Sequence, residues 1–138
     1  MELKQALKET EIHVVTNGIC EICGLAEKSI DHDLLCNAHT HGLEKFGHMN
    51  FQMVLNYDHQ EIGRILNTMS ERVIEGERFA DGDMVSGIYE DCDVRLKEFF
   101  ETDRTVLRVI IPDKENRFPE DAECEEPYKY QLLETDDL

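Results

Sequence analysis

The stretch from Asp58 to Gly76 does most to limit what this chain can fold into. Ile62, Ile65, Leu66, Met69 and Val73 recur at three- and four-residue intervals and form one apolar stripe along a helix. Glu61, Arg64, Glu71 and Arg72 lie largely off that stripe. Asp58 can accept from the first free backbone N–H groups, and Glu61, three residues on, completes a capping box. Tyr57 and Ile62 are spaced for the hydrophobic staple across the helix start. Gly76 fits a left-handed stop after the last turn. The helix is thus expected from about Asp58 to Glu75, with one side that must be covered.

The covering elements read as strands. Ile12 to Thr16 ends at Asn17-Gly18, and Leu34 to Thr40 is a second candidate. Phe51 to Leu55 is a third, with Phe51, Met53 and Leu55 on one face and Gln52 and Val54 on the other. Met84 to Tyr89, Val94 to Phe99 and Thr105 to Ile111 follow the helix, and Pro112 closes the last of them. Tyr128 to Leu133 is expected as a final edge strand. Leu3, Ala6 and Leu7 mark a short N-terminal helix, residues 19–33 read as irregular, and Asp113 to Cys124 as a polar loop. The tail from Glu134 to Leu138 is expected to fray. The expected fold is α+β, a mainly antiparallel sheet with one long helix packed on one face. The 138 residues fit one domain of common size.

Charge narrows the partners. Fourteen basic residues against 31 acidic ones give a formal net charge of −17. Such a chain repels phosphate backbones and anionic membranes, which excludes nucleic-acid binding through a basic face. It would suit a basic protein partner, or mimicry of DNA if the carboxylates were arrayed on one face. A sheet face left without a helix would also offer a surface to a second copy. No apolar run approaches the ~20 residues needed to cross a bilayer. The polar start Met1-Glu2-Leu3-Lys4-Gln5 lacks the apolar core of a secretory signal. Five cysteines, an odd number, are expected as reduced thiols or metal ligands in a cytoplasmic setting.

The cysteines carry the sharpest chemical reading. Cys20-Glu21-Ile22-Cys23-Gly24 is followed, after twelve intervening residues, by Cys36-Asn37-Ala38-His39. Zinc takes four soft or borderline ligands in a tetrahedron, and two residues between cysteines let a tight turn aim both thiolates at one point. Cys20, Cys23, Cys36 and His39 are therefore the expected zinc ligands, with His41 and His48 in reserve. One conflict stands against the set. If the segment around Cys36 is a strand, Cys36 and His39 face opposite sides unless the chain turns there. The alternative is that Cys20 and Cys23 are ordinary thiols and Cys36 a small core residue. A redox disulfide at Cys20–Cys23 lacks the βαβ context such motifs use. Asp31-His32 between the cysteine pairs is too close to both for a ββα nuclease finger.

His39, His41 and His48 lie within ten residues and frame Gly42 and Gly47. They offer a second metal reading, an enzyme in which three imidazoles hold an ion with an open water position. His13 reads as the polar half of an alternating strand. No nucleophile elbow and no phosphate-binding glycine loop is present. Cys92 and Cys124 sit among acidic neighbours, which raise a thiol pKa.

The segment from His39 through Gly42-Leu43 to Gly47-His48 resembles the signature of a bacterial family, domain of unknown function family 4262. Gly76-Glu77-Arg78-Phe79 with Gly82-Asp83 is similar to its motif after the helix. Pro112-Asp113-Lys114 with Arg117-Phe118-Pro119 is similar to its late motif. Met49-Asn50 stands where that family has Pro-Glu, and His39 where it has an aromatic residue. The loop holding Cys20 and Cys23 reads as an elaboration of a shorter one, so a zinc site would belong to this branch. The resemblance spans a core of roughly residues 12–133. It implies the fold and a bacterial cytoplasmic setting, and it implies no chemistry.

Overall fold

The computed structural model describes residues 11–15, 35–101 and 104–135. The expected N-terminal helix, Cys20, Cys23 and the last three residues lie outside these. Strands β1 (Glu11–Val15), β2 (Leu35–His41) and β3 (Asn50–Leu55) precede helix α1 (His59–Ile74). Strands β4 (Met84–Val85), β5 (Val94–Glu101) and β6 (Arg104–Ile110) follow it. All six strands join one sheet in the order β1-β2-β3-β6-β5-β4. Every pairing is antiparallel except β3 with β6, which is parallel. The α+β expectation holds. Parallel neighbours need a crossover connection, and α1 lies within the one that joins β3 to β6.

Helix α1 starts as its sequence dictates. Asp58 accepts from the Gln60 N–H at 2.8 Å. Glu61 does not close the capping box, because Arg64 one turn on takes its carboxylate. At the other end Glu77 N–H reaches Arg72 O and Gly76 N–H reaches Val73 O, the paired bonds of a Schellman stop. Gly76 has φ 114°, which a side chain disfavours. The stripe Ile62, Ile65, Leu66, Met69 and Val73 is fully buried. It shares one core with Phe51, Met53 and Leu55 of β3 and Leu107 and Val109 of β6. Each such side chain contributes about 1.5–3 kcal/mol through burial. Among the described residues no helix is long and apolar enough to cross a membrane.

Two expected strands are corrected. Met84 to Tyr89 pairs only through Met84 and Val85. Beyond them Gly87 turns at φ 89°. Two arginines of α1 take carbonyls there, Arg72 from Ser86 at 2.8 Å and Arg64 from Ile88 at 3.1 Å. Residues Tyr128 to Leu132 form a 3-10 turn instead of an edge strand. The Gln131 side chain does the pairing that a strand backbone would have done. Its Oε1 accepts from Ile111 N at 2.8 Å and its Nε2 donates to Ile111 O at 2.5 Å.

Candidate functional site

Alternation along the central strands puts apolar side chains toward α1 and a set of polar ones on the reverse face. Gln52 of β3 stands directly across from Arg108 of β6. Arg108 is fully buried. Its Nε donates to Gln52 Oε1 at 2.7 Å, and its Nη1 to the carbonyls of Gln131 at 2.7 Å and Leu133 at 2.5 Å. Its Nη2 reaches Thr135 Oγ1 at 3.3 Å. The guanidinium carbon lies 3.4 Å from the centre of the Phe99 ring. Among the described residues no carboxylate forms an ion pair with it. Burial pushes its pKa down to about 9, against the pull of the Glu134 and Glu101 charges, so it stays cationic at neutral pH.

Glu101, at the end of β5, is the acidic counterpart, and it too is fully buried. Its Oε1 lies 3.0 Å from His39 Nδ1. Its Oε2 accepts from Arg104 Nε at 2.8 Å and Nη2 at 2.6 Å. Burial alone would raise this carboxyl. The bond and charge of His39, then Arg104, outweigh burial and hold it at about 2. Gln52 bridges the two halves, its Nε2 lying 3.1 Å from Asn37 Oδ1 and 3.4 Å from Glu101 Oε1.

His39 is fixed by this layer. Its Nδ1 lies 3.0 Å from Asn37 Oδ1 as well as from Glu101. Both partners are acceptors, so Nδ1 carries a proton. His41 has the opposite arrangement. Arg104 Nη1, which can only donate, sits 3.2 Å from His41 Nδ1, so that nitrogen accepts. The two rings meet edge to face with centroids 4.9 Å apart.

His48 is elsewhere. Its Nδ1 donates to Met49 O at 2.7 Å, and its Nε2 accepts from Phe79 N–H at 3.1 Å. Both ring nitrogens are engaged with backbone, and the ring packs beside Phe51 and Phe79. The structure thus brings His39 and His41 together and leaves His48 in an architectural role.

Of the four expected zinc ligands, Cys36 and His39 lie among the described residues. Both are on β2, as the strand reading of that segment anticipated. Cys36 is fully buried in the apolar core, its thiol 3.5 Å from Leu55 O. His39 enters the polar layer. The pairing of β2 with β3 slips by one residue between Leu35 and Ala38. A bulge of that kind relaxes strict alternation at Cys36 and Asn37. Among the described residues no three His, Cys, Asp or Glu side chains converge as a metal-ligand group.

Sequence reasoning passed over Asn37, Gln52, Glu101 and Arg108. A signal for two of them exists: Gln52 and Arg108 are each one polar residue inside an otherwise apolar run, Phe51 to Leu55 and Val106 to Ile110. A lone polar residue within a fully buried strand needs a partner, and here each is the other's.

The motif residues noted in the sequence mostly hold loops in place. Arg78 Nη2 donates to Phe46 O at 3.2 Å, beside the His48–Phe79 contact, so the first two motifs touch. Asp113 Oδ1 accepts from the N–H groups of Glu115 and Arg117, and its Oδ2 from Arg117 Nε and Glu125 N–H. No curated protein and no solved structure matches the chain. A family model described as a domain of unknown function (DUF4262) matches residues 20–125, which takes in all three motifs and most of the chain. The chain belongs to that family.

Proposed function

We propose that this protein is a small acidic binding module built around a structural zinc site, with Cys20, Cys23, Cys36 and His39 as the ligands. The observation that carries the reading is the state of His39. Its Nδ1–H is shared between Glu101 and Asn37, so Nε2 is the nitrogen a metal would have to take. A carboxylate behind a histidine is the usual support for a metal-bound imidazole, fixing its tautomer and raising its basicity. Cys36 fits only as a thiolate, so metal binding would take its sulfur away from the Leu55 carbonyl. Thiolate ligation suits a reducing, bacterial cytoplasm. His41 is a poorer ligand as placed. With Nδ1 accepting from Arg104, its proton belongs on Nε2.

The test is elemental mass spectrometry on protein purified without a metal-affinity tag. About one zinc per chain is expected, from a closed four-ligand site. A cobalt-substituted sample should show thiolate charge-transfer bands, and chelator should lower the melting temperature. A metal-free protein whose melt is unchanged in excess chelator would overturn the proposal.

A further inference from the structure

The N-terminal end of α1 borders an open cavity of about 500 Å³, lined by Tyr57, Asp58, Glu61, Arg64, Tyr89 and Tyr128. Three of the chain's four tyrosines meet there. All three are partly exposed, so ring surface is available to a visitor. A second recess continues from the same three tyrosines toward Asp91 and Pro112. Tyr57 and Tyr89 are neutral phenols over the ordinary pH range, since burial raises both. The groove therefore offers ring faces and hydroxyls edged by carboxylates.

The chain itself displays the chemistry such a groove takes. The Arg64 guanidinium stands 5.4 Å over the centre of the Tyr89 ring while its Nε donates to Glu61 at 3.0 Å. A cation over an aromatic face, held by an adjacent carboxylate, is a favourable arrangement even when partly solvated. Arg64 stacks on Tyr89, and no such internal cation stands over Tyr57 or Tyr128 among the described residues. The net charge of −17 draws cations toward the molecule from a distance. The cavity is open at the surface, which suits a side chain carried on a polypeptide.

We propose that the groove between Tyr57, Tyr89, Tyr128 and the start of α1 binds an arginine or lysine side chain presented by a basic protein partner. The side chain lays its cationic end against the tyrosine faces beside Glu61 and Asp58. This site uses none of the proposed zinc ligands, so a metal-free protein would leave it untouched.

The chain has no tryptophan, so its intrinsic emission comes from tyrosine, and three of the four emitters line the groove. The experiment titrates the full-length protein with a short arginine- and lysine-rich peptide and follows that emission, with calorimetry alongside. A saturable change is expected, weakening as salt rises. Tyr128→Leu and Glu61→Gln should each weaken binding at least about tenfold, a loss of about 1.4 kcal/mol. Circular dichroism of both variants verifies that they fold. Binding of the peptide with equal affinity to the wild type and both variants would overturn the proposal, because it would show attraction to the acidic surface at large. Absence of saturable binding to the wild type at low salt would overturn it too.

Discussion

Replacing Glu101 with glutamine is the sharpest probe of the polar layer. In the folded chain this carboxyl titrates at about 2, against an ordinary 4.5. At about 1.4 kcal/mol for each pKa unit, the gap corresponds to roughly 3 kcal/mol. The sign follows from the direction. A carboxyl whose folded pKa is depressed adds stability above its unfolded pKa, and loses it as pH falls through the folded value. Glu101→Gln removes the charge that faces Arg104 and His39 but keeps an oxygen that can still accept from Nδ1. The variant should therefore be less stable by about 3 kcal/mol at neutral pH, or about 10 °C in melting temperature for a chain of this length. Urea unfolding followed by circular dichroism at pH 7, 4 and 3 would measure the gap. It should be constant above about pH 5, shrink below about pH 4.5 and close toward pH 2. A gap under about 1 kcal/mol at pH 7, or one that stays constant down to pH 3, would refute the account of Glu101 as a buried, doubly paired carboxylate.

Other outcomes follow from single contacts. Burial opposes ionisation of Asp113, but the backbone N–H groups of Arg117 and Glu125, then the Arg117 side chain, hold its carboxyl well below the usual range. Asp113→Ala should therefore speed hydrogen exchange at the Glu115, Arg117 and Glu125 amides. In the wild type their protection should persist at pH 4 and fade only on further acidification. His48→Ala should raise exchange at the Phe79 amide, which loses its acceptor, while leaving metal content unchanged. Gly76→Ala should cost about 1 kcal/mol or slightly more in urea unfolding. Nothing lies within 4 Å of an added Cβ there, so the loss is purely conformational at φ 114°.

The helix and most of the sheet were legible because their signals are local. A five-residue stripe, an aspartate cap and a glycine stop sit within twenty residues, and they fix α1 to within one residue at each end. Alternation in Phe51 to Leu55 gave the faces of β3 correctly. The failures lie where a distant side chain decides a local conformation. Nothing near Tyr128 announces that the Gln131 amide, 20 residues beyond Ile111, would stand in for a strand. Nothing near Ser86 announces that arginines on α1 would take its carbonyl and that of Ile88. The polar layer has a local signal only at Gln52 and Arg108, each a lone polar residue in an apolar run. The partner that Arg108 needs when buried, Gln52, lies 56 residues away. His39 and His41 were visible as a pair two residues apart, but the partners of their Nδ1 atoms, the acceptor Glu101 and the donor Arg104, were not.

The position of the polar layer suggests why a sheet with a good apolar core tolerates a buried arginine. The β3–β6 pair is the one parallel junction, and it joins an antiparallel half, β1-β2-β3, to another, β6-β5-β4. Within each half the antiparallel neighbours are consecutive strands of the chain. The junction has no connecting turn, only the long crossover through α1, so side chains must define it. Asn37, His39 and Gln52 come from the first half, and Glu101, Arg104 and Arg108 from the second. A slip of one residue would turn the reverse-face set toward the apolar core and set Arg108 against hydrocarbon, leaving a buried guanidinium without its acceptors. Apolar pairs at the same positions would tolerate that slip far better. The contacts that fix the junction also fix His39, whose Nδ1 is held by one residue from each half. Register and site geometry are therefore coupled, and a ligand drawn to His39 Nε2 would act on the seam between the two halves of the sheet.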